Sequence, residues 1–218
     1  VAVGVGLLDA VNQQNEGDPF TVGPCTEALQ RLQGMAHYRS DVQNETCKPL
    51  PPSFEWKPVT AFDASSLTLG RQTPSWALLP DGSLKHYGGN REDFLYYKSP
   101  IVGDFAVEFQ IAADDTHPPQ ILYGDYWVGL NKDRTALDRG RTGFALNPYK
   151  LNQEEVKAEV DFRFRMVVKN EVVTFWINES KIMNETLPSQ PDPWLAIRCP
   201  EESNDAVIRG LKVSGADS

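Results

Sequence analysis

Phe105, Val107, Phe109 and Ile111 alternate with Asp104, Ala106, Glu108 and Gln110. Successive side chains of an extended chain point to opposite sides, so this order buries one face and turns the other to solvent or a binding groove; it suits a strand and no helix. The same period returns in Phe162, Phe164, Met166 and Val168, which alternate with Arg163, Arg165 and Val167. Lys169-Asn-Glu171 then turns the chain into Val172-Val-Thr-Phe-Trp-Ile177, which makes the two segments a hairpin. Asp81-Gly82 marks another tight turn within Trp76–Tyr87. Asp93–Lys98, Trp194–Arg198 and Ala206–Gly215 read as further strands, the last expected to return and pair near the start of the domain. Turn signals spaced by roughly ten residues are those of a sandwich or barrel.

Before Ser53 the pattern differs. Thr26 can cap a helix in which Ala28, Leu29, Leu32 and Met35 recur at three- and four-residue spacing, and Val1–Val11 can form another. Lys48-Pro-Leu-Pro-Pro-Ser53 cannot continue a helix, because proline lacks the N–H donor and restrains the residue before it. The expected organisation is a helical N-terminal segment and linker over residues 1–52 and an antiparallel β-sandwich over 53–218. Starting at Val1, the chain reads as a matured product or a piece of a longer polypeptide.

With 218 residues and 40% hydrophobic content the chain can build a full core. Thirty acidic residues against 21 basic ones give a formal charge of −9, which repels phosphate backbones and excludes nucleic acid as an expected partner. No run approaches the roughly 18 to 20 apolar residues needed to cross a bilayer, so no membrane span is expected. Cys25, Cys47 and Cys199 form no CxxC or Cys/His cluster, and neither a metal nor another cofactor is expected. A Cys25–Cys47 disulfide would close a loop of about 23 residues, worth roughly 3 kcal/mol, and would suit a secreted, periplasmic or cell-surface protein; three separate thiols are the alternative. Asn44-Glu-Thr46, Asn178-Glu-Ser180 and Asn184-Glu-Thr186 are sequons, glycan acceptors in a eukaryotic secretory protein and plain surface loops in a bacterial one.

The order of features carries a resemblance. Trp76 is followed by Gly82-Ser-Leu and Tyr87-Gly-Gly89, then by Tyr96-Tyr-Lys-Ser-Pro-Ile-Val-Gly-Asp-Phe105. Tyr123-Gly-Asp-Tyr-Trp-Val-Gly129, Phe162–Asn170 with Thr174-Phe-Trp-Ile-Asn178, Pro193-Trp-Leu-Ala-Ile and Ile208–Gly215 complete the series. From about Trp56 to Gly215 this resembles the jelly roll of the concanavalin A-like lectin and glucanase superfamily. It is similar in particular to an uncharacterised module of large bacterial proteins and to the domain of 3-keto-disaccharide hydrolases. The resemblance implies an all-β jelly roll and leaves the chemistry open, since one architecture serves sugar-binding modules and glycan-cleaving enzymes alike.

Retaining glucanases of that superfamily set carboxylates on alternate residues of one strand, about 5 Å apart. Glu159-Val-Asp161 supplies two, but Arg163 and Phe164 stand where the third belongs, and pairing of Glu159 and Asp161 with nearby Arg or Lys explains them as well. Asp114-Asp115-Thr116-His117 is chiefly a turn composition, and no calcium loop accompanies it. No Gly-x-Ser-x-Gly elbow occurs; His86 could stand at a cleft mouth.

The aromatic residues between 87 and 127 fit a sugar site better, with rings for stacking and neighbouring polar groups for hydroxyls. The candidate ligand residues are Tyr87, Asn90, Arg91, Tyr123, Asp125, Tyr126, Trp127 and Asn131. Alternation sends Tyr96 and Tyr97, and likewise Tyr126 and Trp127, to opposite faces, while Trp56, Trp76, Trp176 and Trp194 read as core. The reading is a recognition module of an exported bacterial protein that holds carbohydrate or another protein domain. The alternatives are a glycoside-acting hydrolase and a structural subunit of a larger assembly.

Overall fold

The computed structural model describes residues 33–60, 76–87, 92–111, 118–131, 133–141, 144–151, 161–200 and 206–215. Among them are fifteen strands in two antiparallel sheets. The eight-stranded sheet runs β1 (Lys48–Pro49), β3 (Trp76–Leu78), β4 (Leu84–His86), β15 (Val207–Gly215), β6 (Phe105–Ile111), β11 (Phe162–Lys169), β12 (Val172–Ile177), β13 (Ser180–Thr186). The seven-stranded sheet runs β10 (Phe144–Lys150), β9 (Ala136–Arg141), β8 (Tyr126–Leu130), β7 (Gln120–Tyr123), β14 (Ala196–Pro200), β5 (Glu92–Tyr97), β2 (Trp56–Thr60).

Alternation places the core between the sheets. Phe105, Val107, Phe109 and Ile111 of β6 and Phe162, Phe164, Met166 and Val168 of β11 face inward from one sheet; Leu95, Ile121, Val128, Leu137 and Ile197 meet them from the other. Phe109 and Phe164 stack at 5.4 Å with 12° between their planes. Asn170 and Glu171 join β11 to β12 with φ of 51° and 61°, the left-handed pair that matches the twist of a two-residue hairpin. Strand β15 returns between β4 and β6, so the chain's last strand closes against one of its earliest. Pro49 and Pro58 lie on the edge strands β1 and β2, where a missing N–H leaves no ladder bond unmade.

Residues 33–43 are helical. Tyr38 and Val42 of this helix pack on Cys47, Ala77 and Tyr87, and β1 pairs with β3 through Lys48 and Pro49, so residues on both sides of position 52 contribute to the sandwich. Thr26 and the other capping and spacing positions before 33 lie outside the described residues. Two tryptophans depart from the expected core placement. Trp56 and Trp76 are 3% and 1% exposed, whereas Trp176 is half-buried and Trp194 is 42% exposed. Trp176 alternates with inward Phe175 and Ile177, so its position in β12 turns it outward. No helix among the described residues is long and apolar enough to cross a membrane.

Candidate functional site

The two outer faces differ in chemistry. On the eight-stranded sheet charged outward residues of β6 and β11 are matched, Glu108 pairing with Arg163 at 2.8 Å and Arg165 at 3.0 Å, and Asp161, just before β11, pairs with Arg209 of β15 at 2.7 Å. The Arg163 hydrogen bond holds the Glu108 carboxyl below the ordinary carboxylate value despite partial burial. At the β3–β4 end the helix covers this sheet, with Asp41 taking the Tyr87 hydroxyl at 2.6 Å and Lys85 at 3.4 Å.

The outer face of the seven-stranded sheet is aromatic. Register aligns Lys57, Tyr96, Ala196, Leu122, Trp127 and Gly140 in one row across β2, β5, β14, β7, β8 and β9. A second row holds Phe94, Arg198 and Gln120, and Gly129 and Asp138 continue it on β8 and β9. Tyr96 lies 5.6 Å from Phe94 and 6.4 Å, edge-on, from Trp194. Three strand spacings of about 4.8 Å separate Tyr96 from Trp127, so their Cα atoms stand roughly 14 Å apart. Ala196, 0% exposed, and Gly140, also buried, lie beside them in the row. The Arg198 guanidinium lies 5.4 Å from the Trp127 ring and donates to the Gln120 side-chain oxygen at 3.0 Å. Gly129 is required beneath Gln120, since a Cβ there would stand 2.5 Å from Gln120 Cγ. Asp138 is partly desolvated, which raises its carboxyl above the ordinary value. The face therefore offers rings for stacking, a cation and a carboxylate, with the buried Gln120 amide holding the cation.

Of the residues expected to bind ligand, Trp127 belongs to this face. Tyr123 and Tyr126 are each 3% exposed, with inward parity, and their hydroxyls donate to the carbonyls of Ile101 and Thr186. Tyr87 is equally buried, under the helix. These three present no ring to a ligand. Asp125, with φ 70°, forms the β7–β8 turn, and Asn131 lies beyond the other end of β8. Six residues of extended chain put roughly 20 Å between them, so they do not converge. Asn131 accepts the backbone N–H groups of Thr135 and Ala136 at 2.8 and 3.0 Å and thereby builds the β8–β9 turn. Asn90, Arg91, Asp114, Asp115, Thr116, His117 and Glu159 lie outside the described residues. Cys47 is a buried free thiol that receives the Tyr87 hydroxyl at 3.3 Å, and Cys25 lies outside the described residues.

His86 is not at a cleft mouth. It is 1% exposed on β4, its Nε2 lies 2.9 Å from Asp93 Oδ2 on β5, and it also hydrogen-bonds Cys199 of β14. Residues 86, 93 and 199 meet only because β14 pairs with β5 and the two sheets close over them. The one local signal was an aspartate at the parity of Leu95 and Tyr97. Among the described residues no three His, Cys, Asp or Glu side chains are placed to hold a metal ion.

Several solved structures share this architecture. The carbohydrate binding module CBM66 from Bacillus subtilis superposes with a TM-score of 0.53 at 11% identity, over 77% of this chain and 100% of that one. The fold is an antiparallel jelly-roll β-sandwich. A second jelly roll, from work on endo-acting O-glycanases that human gut microbiota express to initiate mucin breakdown, gives a TM-score of 0.53 at 9% identity, covering 77% and 95% of the two chains. In sequence, residues 165–217 match DUF1581, a family described as a protein of unknown function. That match runs from β11 to the closing strand of the jelly roll. No curated protein matches the chain in sequence.

Proposed function

We propose that this jelly roll is a carbohydrate-recognition module of an exported bacterial protein, acting outside the cytoplasm, and that it lays a glycan across the outer face of the seven-stranded sheet. The observation that carries the reading is the row from Tyr96 to Trp127, two half-buried aromatic residues whose Cα atoms stand roughly 14 Å apart across four adjacent strands, with the half-buried Leu122 between them. Sugar rings carry C–H faces that stack on aromatic planes and hydroxyl edges that need charged or amide partners, and Arg198 and Asp138, both partly exposed, stand on the same face. On the opposite face Glu108, Arg163 and Arg165 are bound to one another. The structural likeness to the carbohydrate binding module adds support at the level of fold. Cleavage has less support, because Asp161 is engaged by Arg209 at 2.7 Å.

A glycan array followed by calorimetric titration of the best binder tests the proposal. Trp127→Ala and Tyr96→Ala are each expected to weaken binding about tenfold or more, the loss usual for a central aromatic contact. Trp176→Ala, on the opposite face, is expected to leave affinity unchanged. Binding that ignores both face variants, or that Trp176→Ala abolishes, would refute this face as the site.

A further inference from the structure

The interior holds a polar cluster that no ligand reaches. His86 of the eight-stranded sheet and Asp93 of the seven-stranded sheet are each 1% exposed, and Cys199, opposite Asp93 in register, is 0% exposed. Among the described residues the titratable groups facing His86 are Asp93 from β5 and Cys199 from β14; β3 contributes the Trp76 ring, 4.9 Å from the imidazole. The His86 backbone N–H donates to the Ala206 carbonyl at 2.9 Å, which fixes the main chain beneath the buried ring. Among the described residues Asp93 Oδ1 is buried without a hydrogen-bond partner, and the imidazole is the group that offsets this carboxylate.

We propose that His86, Asp93 and Cys199 form a proton-dependent latch that joins the two sheets, closed while one proton is shared between imidazole and carboxylate and weakened when that proton leaves. With the proton present the pair is neutral overall. Without it, the buried Asp93 carboxylate faces a neutral ring in a medium that solvates charge poorly, which weakens the contact between the sheets. Burial alone pushes the imidazolium down, but Cys199 and Asp93 outweigh it and hold the His86 pKa well above its ordinary 6.5. A pKa raised on folding adds stability that is complete below the unfolded value and is lost as pH rises through the folded one.

The test is urea unfolding of the full chain at a series of pH values from about 6.5 upward. The unfolding constant is expected to climb by up to about tenfold per pH unit, the limit for one linked proton, until the folded imidazolium titrates. Asp93→Asn, and the double variant His86→Leu with Asp93→Leu, are expected to flatten that rise. The ring nitrogens of His86, followed by NMR in the unaltered chain, decide the matter even if a variant fails to fold. An imidazolium persisting well above pH 6.5 supports the latch. A ring already neutral there, or variants with the slope of the unaltered protein, overturns it.

Discussion

Replacing Gly129 by alanine adds one methyl group at the centre of the aromatic face. Its Cβ would stand 2.5 Å from Gln120 Cγ and 3.2 Å from both Cα and Cβ of the same residue. Gln120 is 8% exposed, so it has no free space to move into, and its backbone belongs to β7. The displacement therefore travels along the side chain. Its oxygen accepts Arg198 Nη1 at 3.0 Å, and Arg198 in turn lies against Trp127. Overpacking of this kind costs about 1–3 kcal/mol. The loss of chain freedom in the unfolded state when glycine becomes alanine returns about 0.4–1 kcal/mol. The net expectation is a loss of about 1–2 kcal/mol, read as a lower urea midpoint with unchanged slope. Gly215→Ala is the control, since a Cβ at that position meets nothing within 4 Å, and it should stay within about 0.5 kcal/mol of the unaltered protein. Titration with the glycan chosen by array should show weaker binding in Gly129→Ala alone. If Gly129→Ala matched Gly215→Ala in both stability and affinity, Gln120 would not be pinned as described, and its part in the face would fall with it.

Two further expectations concern the scaffold. Phe109→Ala removes a ring that is 2% exposed and stacked on Phe164, and should lower stability by about 3–5 kcal/mol in urea unfolding; a loss under about 1 kcal/mol would contradict the packing. Tyr87→Phe removes the hydroxyl that binds Asp41 at 2.6 Å and should cost about 1 kcal/mol near neutrality. That hydroxyl is the main cause holding the Asp41 carboxyl below its ordinary value, with Lys85 assisting, so the contribution exists above the unfolded pKa and disappears as pH falls through the folded one. Acid titration of stability below about pH 4 should therefore be shallower in Tyr87→Phe than in the unaltered chain, and equal slopes would count against the helix docking through this contact.

Alternation of apolar and polar residues is a local property, and it decided which side of each strand is buried. The inward set of β6 and β11, the Asn170-Glu171 turn and the opposite directions of Tyr126 and Trp127 follow from the order of residues, because a period of two leaves one face to pack. The same rule turns Trp176 outward, and reading it as core set hydrophobicity above parity. Strand neighbours are a different matter. Nothing near Tyr96 or Phe94 announces that Ala196 and Arg198 will lie beside them, since β14 is inserted between β5 and β7 from about a hundred residues away. The aromatic face is drawn from β5, β14, β7 and β8, so a cluster read along residues 87–127 finds Trp127 and mistakes core tyrosines for its companions. His86, Asp93 and Cys199 meet for the same reason. Periodicity sorts residues between inside and outside, while the pairing of distant strands, driven by burial of the whole core, chooses which of them meet.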